Sequence, residues 1–136
     1  MRTIFTMATD GPGLYEFTAE VRRFTRGAGD GLLTLFVRHT SCSLLIQENA
    51  DPSARADLET WLGRFVPSAE DPAMSWLTHV LEGADDMPAH LKAAVLPVSL
   101  SIPVADGTPL LGTWQGIYLW EHRRQPHRRD VAAHFA

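Results

Sequence analysis

The stretch LSIPVADGTPLLGTWQGIYLW, residues 100–120, decides the class of fold. Leu100, Ile102 and Val104 alternate with Ser101 and Pro103, the two-residue period of a strand with one wet face. Asp106-Gly107 follows, a dipeptide that tolerates the positive φ angles of a tight hairpin turn. Leu110-Leu111 and Ile117–Trp120 read as further strand segments, and Val131–Phe135 reads as the last strand. Gly112 and Gly116 bracket Trp114 and Gln115. Glycine in such a region marks a bulge or a close approach of another chain segment.

Working outward, the first half also favours strands. Residues 2–8 and 14–18 have strand character, separated by the turn DGPG at 10–13. Residues 18–26, with Val21 and Phe24 among arginines, predict a short helix. LLTLFV at 32–37 is a continuous apolar run too short for a helix, which predicts a central buried strand; 42–47 predicts another. Asp51-Pro52 is a helix start, with aspartate able to cap and proline suited to the first turn. Ala54, Leu58, Trp61, Leu62 and Phe65 share one face of the helix that follows, and that face is expected to pack over a sheet. Residues 68–80 read as a loop with a short helical piece holding Trp76. A second long helix begins near Asp86 and carries Leu91, Ala94 and Val95 on its apolar side. Strands in the majority with two or three helices between them predict an α+β fold. The expectation is one domain over residues 1–136, a mostly antiparallel or mixed sheet with the helices packed on it.

Composition narrows the function. The chain has 136 residues, enough for one core, and 45% of them are hydrophobic. A net charge of −4 argues against a nucleic-acid-binding surface. The one basic cluster, Arg123, Arg124, Arg128 and Arg129, reads as a solvated edge or, alternatively, as a phosphate-binding patch. No apolar run reaches the length of a membrane span. The lone cysteine, Cys42, excludes an internal disulfide, and a cytoplasmic protein is expected.

Three separated segments carry the chemistry. HTSCSLLIQENADP (39–52) opens with His39 at the end of an apolar run, next to the hydroxyls of Thr40 and Ser41, and holds Asn49. HVLEGADDMPAHLK (79–92) crowds His79, Glu82, Asp85, Asp86 and His90 into fourteen residues. Such density opposes itself by repulsion and desolvation unless charge is needed there. Asp86 either caps the second helix or, four residues before His90, shares a face with it. LGTWQGIYLWEHR (111–123) adds Trp114, Gln115 and Glu121. Trp114 reads as a core plug or a ligand contact, and Gln115 as a hydrogen-bonding partner for a ligand. No serine lies in a GxSxG elbow, and no phosphate-binding glycine motif is present. Histidine with carboxylate is competent for a divalent ion, although the spacing matches no standard zinc signature.

In order and spacing these three segments resemble the signatures of the YjbQ family, described as secondary thiamine-phosphate synthase-like. The resemblance covers nearly the whole chain. It implies a compact α+β domain forming a homotrimer, with sites near subunit interfaces. It also implies a weak activity joining a hydroxymethylpyrimidine pyrophosphate to a thiazole phosphate with release of pyrophosphate. Carried onto this sequence, the polar site would be His39, His79, Asp86, His90 and Glu121, with Thr40, Ser41, Asn49, Trp114 and Gln115 toward the substrate. His39, His79 and His90 would be the metal ligands, with zinc or magnesium as the ion. Asp85 and Glu82 are further candidate ion ligands if the metal is magnesium. Two alternatives stand beside the synthase: a metal-dependent hydrolase of a phosphorylated small molecule, and a ligand-binding trimer without turnover.

Overall fold

The computed structural model describes residues 1–136. Eight strands run in chain order as β1 (Arg2–Thr9), β2 (Gly13–Glu16), β3 (Gly31–Val37), β4 (Cys42–Glu48), β5 (Ser99–Ala105), β6 (Thr108–Pro109), β7 (Gln115–Glu121) and β8 (His127–Phe135). Three helices interrupt them: α1 (Thr18–Thr25), α2 (Pro52–Phe65) and α3 (Asp86–Val95). The α+β class and the antiparallel pairing match the expectation, but there are two sheets rather than one. A five-stranded sheet has the order β1-β8-β3-β5-β6, and a three-stranded sheet has the order β2-β7-β4. The core lies between them, with Leu33, Leu35, Val37, Ile102, Val104, Val131 and Ala133 facing Leu44, Ile117 and Leu119. Phe17 and Val21, at and within the start of α1, complete that core.

β3 sits at the centre of the larger sheet, as its apolar run suggested, but only one of its faces is buried. Leu33, Leu35 and Val37 are enclosed, while Leu32 and Phe36 are about half exposed. A continuous apolar run cannot by itself say whether something covers both faces of a strand. The Asp106-Gly107 turn forms as read, with φ of 49° and 73° at its two residues. Leu110-Leu111 lies beyond the short β6 rather than in a strand. Gly116 is a close approach: a Cβ there would lie 2.7 Å from Glu16 Oε2 and 3.0 Å from Asn49 Cβ.

The helices depart most from expectation. Asp51 caps α2 through Ser53 N at 2.9 Å, with Pro52 in the first turn. On its apolar face, however, only Leu62 is buried; Trp61 and Phe65 are more than half exposed and stack on each other at 5.6 Å. Helical periodicity shows which residues share a face, not whether that face meets the core. α3 turns inward through Pro88, Ala89 and Ala93 instead of Leu91, Ala94 and Val95. Its N-cap is Asp85, without a side-chain capping bond, so Asp86 lies inside the first turn. The short helical piece of the preceding loop is Pro72–Met74, with Met74 buried and Trp76 outside it and exposed.

Candidate functional site

The acid-rich segment before α3 is held by a residue from another motif. Arg123, two residues beyond β7, donates from Nε to Asp85 Oδ2 at 3.1 Å and from Nη1 to Asp86 Oδ1 at 2.5 Å. Its Nη2 reaches the Glu82 carbonyl at 3.3 Å. Half of the basic cluster thus meets carboxylates of the chain, Arg123 mostly enclosed and Arg129 buried. Asp85 additionally accepts from Arg124 N at 2.8 Å. Burial alone would raise its pKa, but the hydrogen bonds from Arg124 N and Arg123 outweigh this and hold the carboxyl below its ordinary range. The sequence presents Arg123 only as part of a basic cluster, not as a site residue. The signal for it is a charged group directly after the strand that ends in Glu121.

With Oδ1 on Arg123, Asp86 turns Oδ2 toward two histidines. His79 Nε2 lies 2.9 Å away and His90 Nε2 3.4 Å away. The ligand atoms of His79, Asp86 and His90 all lie within 4.8 Å of one another. Asp86 is almost fully enclosed, whereas both histidines remain reachable from solvent. His90 Nδ1 lies 2.8 Å from the Thr40 carbonyl oxygen. A carbonyl only accepts, so Nδ1 must carry a proton. In the neutral ring Nε2 is then a lone pair, facing a carboxylate oxygen at 3.4 Å. Two acceptors at that range repel unless a cation lies between them, either a proton on the ring or a metal ion. A ligating histidine held by a backbone carbonyl through its other nitrogen is the usual support of a metal site.

His39 is not in this cluster. Its Nε2 accepts from Asp130 N at 2.8 Å, so the neutral ring carries its proton on Nδ1. Burial first, and then the Arg129 charge, lower its pKa and favour that neutral form. His39, Thr40 and His90 nevertheless share the wall of a cavity of about 360 Å³, whose remaining lining includes Phe36, Val37 and Val98. The group whose ligand atoms come together is therefore His79, Asp86 and His90, and His39, expected as a third histidine ligand, stands outside it.

The other expected site residues lie elsewhere. Glu121 is wholly enclosed and bonded to Arg129 and Thr9. Ser41 accepts from Arg129 Nη2 at 2.9 Å. Glu48 pairs with Gln115 and Cys42 with Glu121, so Asn49, Trp114 and Gln115 stand at the opposite end of the β4–β7 pair, roughly 20 Å from the histidine end. Asn49 donates to Glu16 at 3.2 Å, Gln115 accepts from Gly112 N at 2.8 Å, and Trp114 is exposed. Within one chain these three do not join the cluster. Glu82 contributes only its carbonyl, to Arg123.

A family model described as "UPF0047 protein YjbQ-like" matches residues 3–136. The UPF0047 protein sll1880 of Synechocystis sp. is 46% identical over 133 residues, 96% of this chain and 88% of that protein. The UPF0047 protein YjbQ of Salmonella typhimurium is 50% identical over 103 residues, 76% of this chain and 71% of that protein. Among solved structures, a conserved hypothetical protein of Thermus thermophilus superposes with a TM-score of 0.85 at 32% identity, covering 98% of this chain and 99% of that one. A yjbq/upf0047 family protein of Clostridium acetobutylicum gives 0.85 at 28% identity, with the same coverage.

Proposed function

The chain belongs to the YjbQ-like UPF0047 family, and we propose that its His79–Asp86–His90 set holds a divalent metal of the zinc class. With that ion the protein hydrolyses a small phosphorylated, ring-containing molecule. The observation that carries this reading is the placement of His90, whose Nδ1 is held by the Thr40 carbonyl while its Nε2 faces the Asp86 carboxylate with His79 Nε2 alongside. The donor chemistry favours zinc over magnesium: two imidazoles and one carboxylate suit a borderline-soft ion, while magnesium prefers an all-oxygen shell. Of the acids that would have built such a shell, Asp85 is paired with Arg123, and Glu82 is exposed and outside the converging group.

When bound, such an ion polarises a phosphoryl oxygen and makes water acidic enough to attack near neutral pH. The chain's own part is to orient and to donate. Arg123 fixes the Asp86 carboxylate, and the Thr40 carbonyl fixes the His90 ring. His39 offers its Nδ1–H as a donor to a group in the adjoining cavity. Phe36, Val37 and Val98 give that cavity an apolar wall suited to a flat ring. The same wall favours a second reading, ring joining with loss of pyrophosphate, because a water-poor surface would shield a cation-like carbon from hydrolysis.

Chelator-treated protein titrated with zinc in a calorimeter should take up one ion per chain. Its melting temperature should rise with zinc concentration, as expected when the native state alone binds. No uptake, or uptake unchanged in Asp86→Asn, would remove the metal centre. Hydroxymethylpyrimidine pyrophosphate supplied with and without thiazole phosphate then separates hydrolysis from ring joining by the product formed.

We further propose a homotrimer, assembled through the outer face of the five-stranded sheet. Ile4, Leu32 and Phe36 stand about half exposed there, and Ile4 and Phe36 border a trough of about 540 Å³. Light scattering should give three times the chain mass; a monomer at micromolar concentration would dismiss the assembly.

A further inference from the structure

On a different face of α3 from Asp86 and His90, residues Asp85, Pro88 and Lys92 line a second, smaller cavity of about 130 Å³. Their spacing of three and four residues places them on one helical stripe. Across from them stand His122, the residue after β7, and Arg124; Pro12, Gly63, Val66 and Ser68 complete the wall. His122 is 3% exposed, and its Nε2 lies 2.9 Å from Ser43 Oγ.

The tautomer of His122 follows from the burial of Ser43. Ser43 is completely enclosed, and its side chain has His122 as its sole partner. If the ring donated to the hydroxyl, the hydroxyl proton would have no acceptor in a site that water does not reach. Leaving a buried donor unmade is costly. Ser43 therefore donates to Nε2, and Nδ1 carries the ring proton. Nδ1–H has no hydrogen-bond partner in the chain, and since no fully buried side-chain nitrogen or oxygen lacks a partner, this atom is one that solvent reaches. Burial and the nearby Lys92 charge lower the pKa of His122 to about 3, so the ring is a neutral donor.

The cations beside this donor have no carboxylate in direct contact. Asp85 shares the Arg123 guanidinium with Asp86 and accepts from the backbone N–H of Arg124. Lys92 and the Arg124 side chain form no salt bridge with any acid of the chain. Glu59, which attracts Lys92 at longer range, is hydrogen-bonded to Trp120 Nε1. Two cations without carboxylate partners and one imidazole N–H without an acceptor thus border a single small cavity. We propose that this cavity binds a phosphate-sized oxyanion, with His122 Nδ1–H, Lys92 and Arg124 as its donors. The reading goes beyond the proposed metal centre and does not depend on it. The ligand is free phosphate or the phosphate of a small ester.

The test uses the full-length, chelator-treated protein with the His122 ring signals assigned by NMR. Inorganic phosphate and glycerol 2-phosphate are each titrated at constant ionic strength against chloride. A saturating shift of the His122 Cε1–H signal is expected with phosphate and not with chloride. Whichever phosphate saturates at the lower concentration identifies the source. The same shift is expected in His90→Ala, which separates it from binding at the metal cluster. In Lys92→Met the half-saturating concentration should rise about tenfold or more, the scale of a charge-assisted hydrogen bond. If Lys92→Met folds poorly, Arg124→Met, altered at an exposed side chain, serves the same purpose. The proposal is overturned if neither phosphate gives a saturating shift. It is overturned equally if the folded variant of this pair binds phosphate as the parent does.

Discussion

His90→Ala is expected to abolish zinc uptake and to lower turnover of the pyrimidine pyrophosphate by about a hundredfold or more, the scale of losing an acid–base or electrostatic group. It should cost the fold about 1 kcal/mol, the worth of one hydrogen bond, that to the Thr40 carbonyl. The ring is partly open to solvent and contributes little to the core, which α3 reaches through Pro88, Ala89 and Ala93. Removing it also removes the lone pair that opposes Asp86. The alternative, in which His90 is simply a protonated partner of that carboxylate, makes a different prediction. Zinc would then bind neither parent nor variant, and turnover would follow the folded fraction. Measuring metal content, melting temperature and turnover on one preparation decides between them. Retained turnover per folded molecule would make His90 a structural residue.

The strands were legible because burial on one face leaves a two-residue period, and because Asp106-Gly107 fits only a narrow set of turns. The two-sheet arrangement was not, since β3 and β4 read alike and pair with different partners. Helix faces misled for a related reason. Trp61 and Phe65 lie on a coherent apolar stripe of which the rest of the chain fully buries only Leu62. In the site, His79, Asp86 and His90 come from one continuous segment, so local crowding was a sufficient signal. Placing His39 with them required knowing where a distant strand end points, which its local sequence does not encode. Glu121 has the same strand-end position as His39, yet it is entirely internal. Being next to a strand end does not distinguish a group facing a cleft from one facing the opposite sheet. Arg123 and Arg129 read as exposed because arginine usually is. Both instead meet carboxylates whose burial demands a partner.

Glu121→Ala is expected to be the most destabilising single change at the ends of the strands, by about 3–5 kcal/mol. Glu121 ends β7 of the smaller sheet. Its Oε1 accepts from Thr9 Oγ1 at 2.6 Å and Arg129 Nε at 2.7 Å, both from strands of the larger sheet. Its Oε2 accepts from Arg129 Nη2 at 2.5 Å and from the backbone N–H groups of His122 and Arg123 at 3.0 and 3.2 Å. Truncation would strand the enclosed Arg129 guanidinium, leaving it only Ser41 as a partner. The penalty therefore comes mainly from an unpaired buried cation, not from the lost attraction. A double variant, Glu121→Leu with Arg129→Met, should recover much of the loss, because replacing both charges by apolar groups of similar size is often close to neutral. Burial would raise the Glu121 pKa, but the Arg129 and Thr9 hydrogen bonds outweigh it and hold the carboxyl below its usual value. With a depressed folded-state pKa, its contribution is present above the unfolded value of about 4.3 and disappears as pH falls through the folded-state value. Urea denaturation at pH 7 and again in acid checks both parts. The parent should lose stability between the two conditions by more than Glu121→Ala does. A loss below about 1 kcal/mol in Glu121→Ala at pH 7 would mean that the two sheets do not rely on this ion pair, since an exposed pair contributes no more than that.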